Sequence, residues 1–142
     1  FEIWNRGGIW VANPYGMNCY FGAYKYPMSG GPDKTAVVMF HIPDVGIRFK
    51  APFGAVNDDH SDYASLLALL EFIDSNQKYF SNRAYQIFGN NARVINQING
   101  REDFPPEFGA LVEKARQYRQ KYHFSLNWVP PQDNTVYDSL LD

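Results

Sequence analysis

The chain has 142 residues, of which 45% are hydrophobic and 20% charged. That is the composition of a single globular domain spanning residues 1–142 and excludes a disordered chain. A formal net charge of −2 lacks the basic excess of a tight nucleic-acid binder, and the one cysteine, Cys19, excludes an internal disulfide and a cysteine zinc site. It favours a reducing, intracellular compartment, and no apolar run reaches membrane-span length.

In chain order, Phe1 to Trp4 alternates and predicts an opening strand, followed by a break at Gly7-Gly8 and a turn at Asn13-Pro14-Tyr15-Gly16. Cys19 to Tyr26 predicts a second strand and Pro27 to Pro32 a hairpin loop. Ala36 to Phe40 predicts a third strand. Val45 to Lys50 continues or pairs with it, after a break or bulge at Pro43-Asp44. Short links between these strands predict an antiparallel meander.

The polar turn Asn57 to Tyr63 then opens the strongest helical run, in which Leu66, Leu69, Leu70 and Ile73 share one face. Asp59 or Ser61 is expected to cap it, and Asp62 lies one turn before Leu66 on the same side. Ala84 to Phe88 predicts a short strand, Ala92 to Ile98 a helix ended by Asn99-Gly100, and Glu107 to Tyr122 a longer helix opened by Pro105-Pro106. The longer helix has an apolar face of Phe108, Leu111, Val112, Ala115, Tyr118 and Tyr122, with Lys114, Arg116, Arg119 and Lys121 on its other side. Phe124 to Val129 predicts a last strand, and Thr135 to Leu141 a short closing helix capped by Asn134 or Thr135. A meander followed by alternating helices and strands implies an α/β fold: one five-stranded mixed sheet with helices on both faces. Aromatic residues reach 17%. A ring-packed core accounts for most of them, and the sharper reading is exposed rings for stacking or for a partner.

Four stretches in this order carry a family likeness. They are Glu2 to Gly8 with Asn13-Pro14, Asn57 to Leu70, Ile87 to Gly100, and Trp128 to Asn134 followed by Tyr137 to Leu140. Together they resemble the ribonuclease H family: its first strand ending in Asp-Gly-Ser or Asp-Gly-Gly, its Asn-Asn-Arg-Ala-Glu-Tyr helix start, its Ser-Asp-Ser before a Val-Val-Asn-Gln-Ile helix, and its closing Val-Pro-Arg-Glu-x-Asn. The resemblance implies cleavage of the RNA strand of RNA–DNA hybrids, by converging carboxylates that gather two divalent ions.

Carried over by position, the family's carboxylates fall on Arg6 (Asn5 if the register slips by one), Asp62, Asn90 and Asp138. Asp62 and Asp138 are retained acids, and Arg6 and Asn90 are substitutions. A guanidinium stays cationic at physiological pH and repels a metal ion. Arg6 is therefore expected to replace the metal between Asp62 and Asp138 as their counter-charge. The resemblance also places Asn13, Asn57, Asn90 and Gln97 where the family contacts the hybrid, and Arg116 and Arg119 on a helix able to grip a duplex backbone.

The expected function is a domain with a degraded two-metal site, used for binding RNA, an RNA–DNA hybrid or a protein, without a metal or a small-molecule cofactor and without a membrane. One alternative is an active Mg²⁺-dependent ribonuclease H using Asp62 and Asp138, with Asp58 or Asp59 as replacement ligands. The other is a purely structural interaction module.

Overall fold

A computed structural model describes residues 16–27, 34–54, 58–80 and 84–141. The expected opening strand at Phe1 to Trp4 lies outside the described residues, as do Arg6, Asn13 and Asn57.

Among the described residues the meander begins at Gly16. β1 (Gly16–Pro27), β2 (Lys34–Ile42) and β3 (Ile47–Phe53) are joined antiparallel. β4 (Ala84–Gly89) runs parallel to β1, and β5 (His123–Trp128) runs parallel to β4. The sheet is five-stranded and mixed, in the order β3-β2-β1-β4-β5. The expected fold class stands, and the first of its described strands is Gly16–Pro27. Pro43–Val45 forms a single 3-10 turn and Gly46 takes a left-handed φ of 67°. That conformation suits glycine, which has no Cβ to clash. The segment after Pro43 is thus a separate strand folded back on β2, not a bulged continuation, and Phe40 and Phe49 stack across the pair with ring centroids 4.9 Å apart.

Strand alternation sorts β1 into two faces. Met17, Cys19, Phe21 and Ala23 point inward and are buried. Against them packs α1 (Asp58–Ser75), whose Tyr63, Leu66, Leu69, Leu70 and Ile73 are buried. Each such side chain contributes about 1.5–3 kcal/mol on leaving water. The helix starts at Asp58, so Asp59 and Ser61 sit inside its first turn and neither is its N-cap. α2 (Gln77–Phe80) follows at once.

α3 (Ala92–Ile98) is capped by Asn91, whose Oδ1 accepts the Val94 N–H at 3.2 Å. A 3-10 turn at Pro106–Phe108 leads into α4 (Gly109–Lys121), which buries Val112 and Ala115. α3 and α4 join α1 on the inner face. The closing 3-10 helix, Thr135–Leu141, lies on the other face of the sheet. A Cβ on Gly22, which points outward, would sit 3.1–3.2 Å from Tyr137, Val136 and Asn134. Among the described residues no helix is long and apolar enough to cross a membrane.

Candidate functional site

Asp62 lies in the second turn of α1, turned toward the sheet, and is 4% exposed. Its counter-charge comes from β1. Lys25 continues the inward series Met17, Cys19, Phe21, Ala23, and stands beyond the last residue of β1 paired with β4, Tyr20. Its Nζ is 2.9 Å from Asp62 Oδ2. The α3 cap completes the site. Asn91 Nδ2 donates to Asp62 Oδ2 at 2.8 Å and to Asp59 Oδ1 at 3.0 Å, while its Oδ1 holds the helix start. Arg93, one residue into α3, donates from Nη1 to Asp59 Oδ2 at 2.9 Å. One amide thus ties two carboxylates of α1 to the first turn of α3, and a cation closes each carboxylate.

Burial raises the Asp62 pKa above the usual carboxylate value. Lys25 and Asn91 oppose that rise and Asp59 adds to it. Burial pushes Asp59 up as well, but there the hydrogen bonds from Asn91 and Arg93 and the nearby positive charges prevail, and its pKa is lowered. The four charged groups sum to zero.

A second network surrounds Asn90 at the end of β4. Its Oδ1 accepts from Asn134 Nδ2 at 2.8 Å and lies 3.1 Å from the Tyr137 hydroxyl, which is also 3.2 Å from the Ala23 carbonyl. Asn134 Nδ2 reaches the Phe21 carbonyl at 2.9 Å and its Oδ1 accepts the Val136 N–H at 3.2 Å, so it caps the closing 3-10 helix. Trp128 Nε1 donates to the Asn90 carbonyl at 3.2 Å. These bonds fasten the closing helix to β1 and β4. Burial raises the Tyr137 pKa; the bond to Asn90 lowers it and Asp62 raises it.

The structure brings Asp62 and Asn90 to the same end of the parallel strands, next to one another through Asn91. Asp138 is held differently. It is exposed, and among the described residues it pairs with Arg48 of β3 at 3.9 Å. Gln97 is 1% exposed, and its Oε1 accepts the Tyr63 hydroxyl at 2.5 Å. Arg116 donates to the carbonyls of Gln97 and Ile98, and Arg119 to Asn99 Oδ1 at 2.8 Å, so both close the C-terminal end of α3. Neither is on the expected wet side of α4: Arg116 is one helical turn after buried Val112, and Arg119 one turn after buried Ala115.

Sequence reasoning missed Lys25, Asn91 and Tyr137. Strict alternation along β1 was a signal that places Lys25 on the inner face. The pairing of Asp59 with Arg93 had no such signal. Among the described residues, no group of three or more His, Cys, Asp or Glu side chains is placed to hold a metal ion.

No family model matches the sequence, and no curated protein does. Solved structures do match. LC11-RNase H1, isolated from compost by a metagenomic approach and solved with an RNA/DNA hybrid, is 13% identical with a TM-score of 0.70, over 87% of this chain and 92% of that one. RNase H1 from Halobacterium salinarum NRC-1 is 19% identical with a TM-score of 0.68, over 88% of this chain and 93% of that one. The N-terminal RNase H domain of rv2228c from Mycobacterium tuberculosis is 16% identical with a TM-score of 0.62, over 87% and 95%. At such identities the likeness is one of fold, and it covers nearly the whole chain: this protein has a ribonuclease H-like fold.

Proposed function

We propose that the domain keeps the ribonuclease H-like scaffold without the nuclease reaction, and that it binds nucleic acid, either RNA or an RNA–DNA hybrid. The observation that carries the first half is the Lys25 ammonium 2.9 Å from Asp62. The family's reaction needs carboxylates converging on two divalent ions, and hard Mg²⁺ is held through oxygen ligands. The described residues do not fit that task. β1, the first strand of the described sheet, contains no Asp or Glu. Asp62 and Asp59 are neutralised by Lys25 and Arg93. Asn90 offers a neutral oxygen already engaged by Asn134 and Tyr137. Asp138 pairs with Arg48 instead. A divalent ion entering here meets a site of zero net charge and has to displace an ammonium.

The second half is supported by the fold, which is that of a protein solved with an RNA/DNA hybrid. The reading is tested with a labelled RNA–DNA hybrid. Incubation with Mg²⁺ or Mn²⁺ is expected to give no cleavage above the protein-free control. Binding is expected to weaken steeply with added salt, as phosphate contacts dictate. Cleavage that disappears in Asp62→Asn would establish the working nuclease instead. Absence of any salt-dependent binding would leave the protein-interaction module.

A further inference from the structure

We propose that the closing 3-10 helix, Thr135–Leu141, is a latch that works across the sheet. Seated on the outward face, it holds the Gly89-Asn90-Asn91 turn, and through that turn the network of Lys25, Asp62, Asp59 and Arg93 on the inward face. Lifting it opens that network. The inference is independent of what the domain binds.

The seat is a notch in β1. Gly22 points outward, and its missing side chain admits the helix: a Cβ there would lie 3.1 Å from the Tyr137 hydroxyl and from Val136 Cγ2, and 3.2 Å from Asn134 Nδ2. Among the described side chains of the helix, Val136 is the buried apolar anchor. The other fastenings are polar. His41 Nδ1 lies 2.6 Å from Thr135 Oγ1, Arg48 Nη1 donates to the Thr135 carbonyl at 3.1 Å, and exposed Asp138 stands 3.9 Å from Arg48. An element held largely by bonds that water can replace opens at lower cost than the core.

Two adjacent residues carry the connection. Asn90 faces the latch: its Oδ1 accepts from Asn134 Nδ2 at 2.8 Å and stands 3.1 Å from the Tyr137 hydroxyl. Asn91 faces the network: its Nδ2 donates to Asp62 and Asp59, and its Oδ1 caps α3. The Asn90 carbonyl belongs to the planar peptide unit that joins the two residues, and Trp128 Nε1 holds it at 3.2 Å. A rotation at Asn90 therefore pulls Asn91 away from both carboxylates. Charge already reaches across the sheet, since Asp62 adds to the rise in the Tyr137 pKa. Coupling of this kind is reciprocal, so a change at Asp62 acts back on the latch.

The test is amide hydrogen exchange followed by NMR in Gly22→Val. Valine suits a strand, and its methyl groups fill the seat. The Val136 and Tyr137 amides, both bonded to Asn134, are expected to lose protection. Val94, whose N–H is bonded to Asn91 on the opposite face, is then expected to exchange about tenfold faster or more, and the Asn91 side-chain amide signals to move. Leu69 in α1 is expected to keep its wild-type rate. Tyr137→Phe removes one hydroxyl and keeps the ring, and is expected to move the same signals by less. In the reverse direction, Asp62→Asn is expected to speed exchange at Val136. Release of Val136 and Tyr137 with Val94 and Asn91 unchanged overturns the latch. Val136 still protected over valine overturns the seat, and the latch with it. If the valine variant unfolds generally, with Leu69 as fast as Val94, Tyr137→Phe decides: unchanged Asn91 amide and Trp128 indole N–H signals overturn the proposal.

Discussion

Lys25 and Asp62 are 37 residues apart in sequence, yet their side chains meet at 2.9 Å between the central strand and the main helix. The carboxylate side chain is 5% exposed and the ammonium side chain 23%. Such a pair is too buried to be a negligible surface contact and too open to carry the full cost of a core ion pair. Removing one partner alone leaves a charge without compensation, and at this burial Lys25→Met is expected to cost about 1–3 kcal/mol. Adding Asp62→Leu to Lys25→Met is expected to recover most of that loss, because an apolar pair has no charge to desolvate. Urea denaturation of the two variants measures it. A single variant as stable as the wild type contradicts the pairing.

Gly89 ends β4 directly beneath Phe21. A Cβ there would meet Phe21 Cζ at 2.5 Å and Cε1 at 2.6 Å, and Phe21 is 1% exposed with nowhere to move. Gly89→Ala is expected to destabilise the domain by about 1–3 kcal/mol through overpacking. The same change in a Phe21→Leu background is expected to cost less, since the two sites share one space. Equal costs in both backgrounds would remove steric conflict as the reason for glycine.

His41 of β2 fastens the closing helix through a contact of 2.6 Å between its Nδ1 and Thr135 Oγ1. Burial first, and the Arg48 charge second, lower its pKa; Asp138 opposes them. The unfolded chain therefore takes up the His41 proton more readily than the folded one. The stability contributed by neutral His41 is complete above its unfolded pKa of about 6.5 and is lost as pH falls from there through the lowered folded value. Denaturation midpoints are expected to fall between about pH 7.5 and about pH 5.5, and His41→Gln is expected to flatten that slope. An unchanged slope in the variant would show that His41 does not link folding to pH.

Local patterns carried most of the fold. Helical spacing in Leu66 to Ile73, the Gly89-Asn90-Asn91 turn, and the alternation of Cys19 to Tyr26 each stood in one short window, and each element formed there. Pro43-Asp44 left a break and a bulge both open, because a tight 3-10 turn and a left-handed Gly46 leave only a weak trace in sequence; the structure takes the break, with the next strand paired to β2. Gln97, Arg116 and Arg119 read as surface contacts because their polarity suggested water. All three are instead consumed inside the fold, where Gln97 takes the Tyr63 hydroxyl and the arginines take the free carbonyls and amide at the end of α3. Burial of a polar group is decided by a partner far along the chain. The same holds at the site: the presence of a cation against Asp62 follows from sheet register, and Arg6 lies outside the described residues.

If the Lys25 ammonium is what balances Asp62, isothermal titration of the wild-type domain with Mg²⁺ shows no saturable binding up to millimolar metal, and Asp62→Asn gives the same flat trace. Saturable binding in the wild type that is abolished in Asp62→Asn would contradict it.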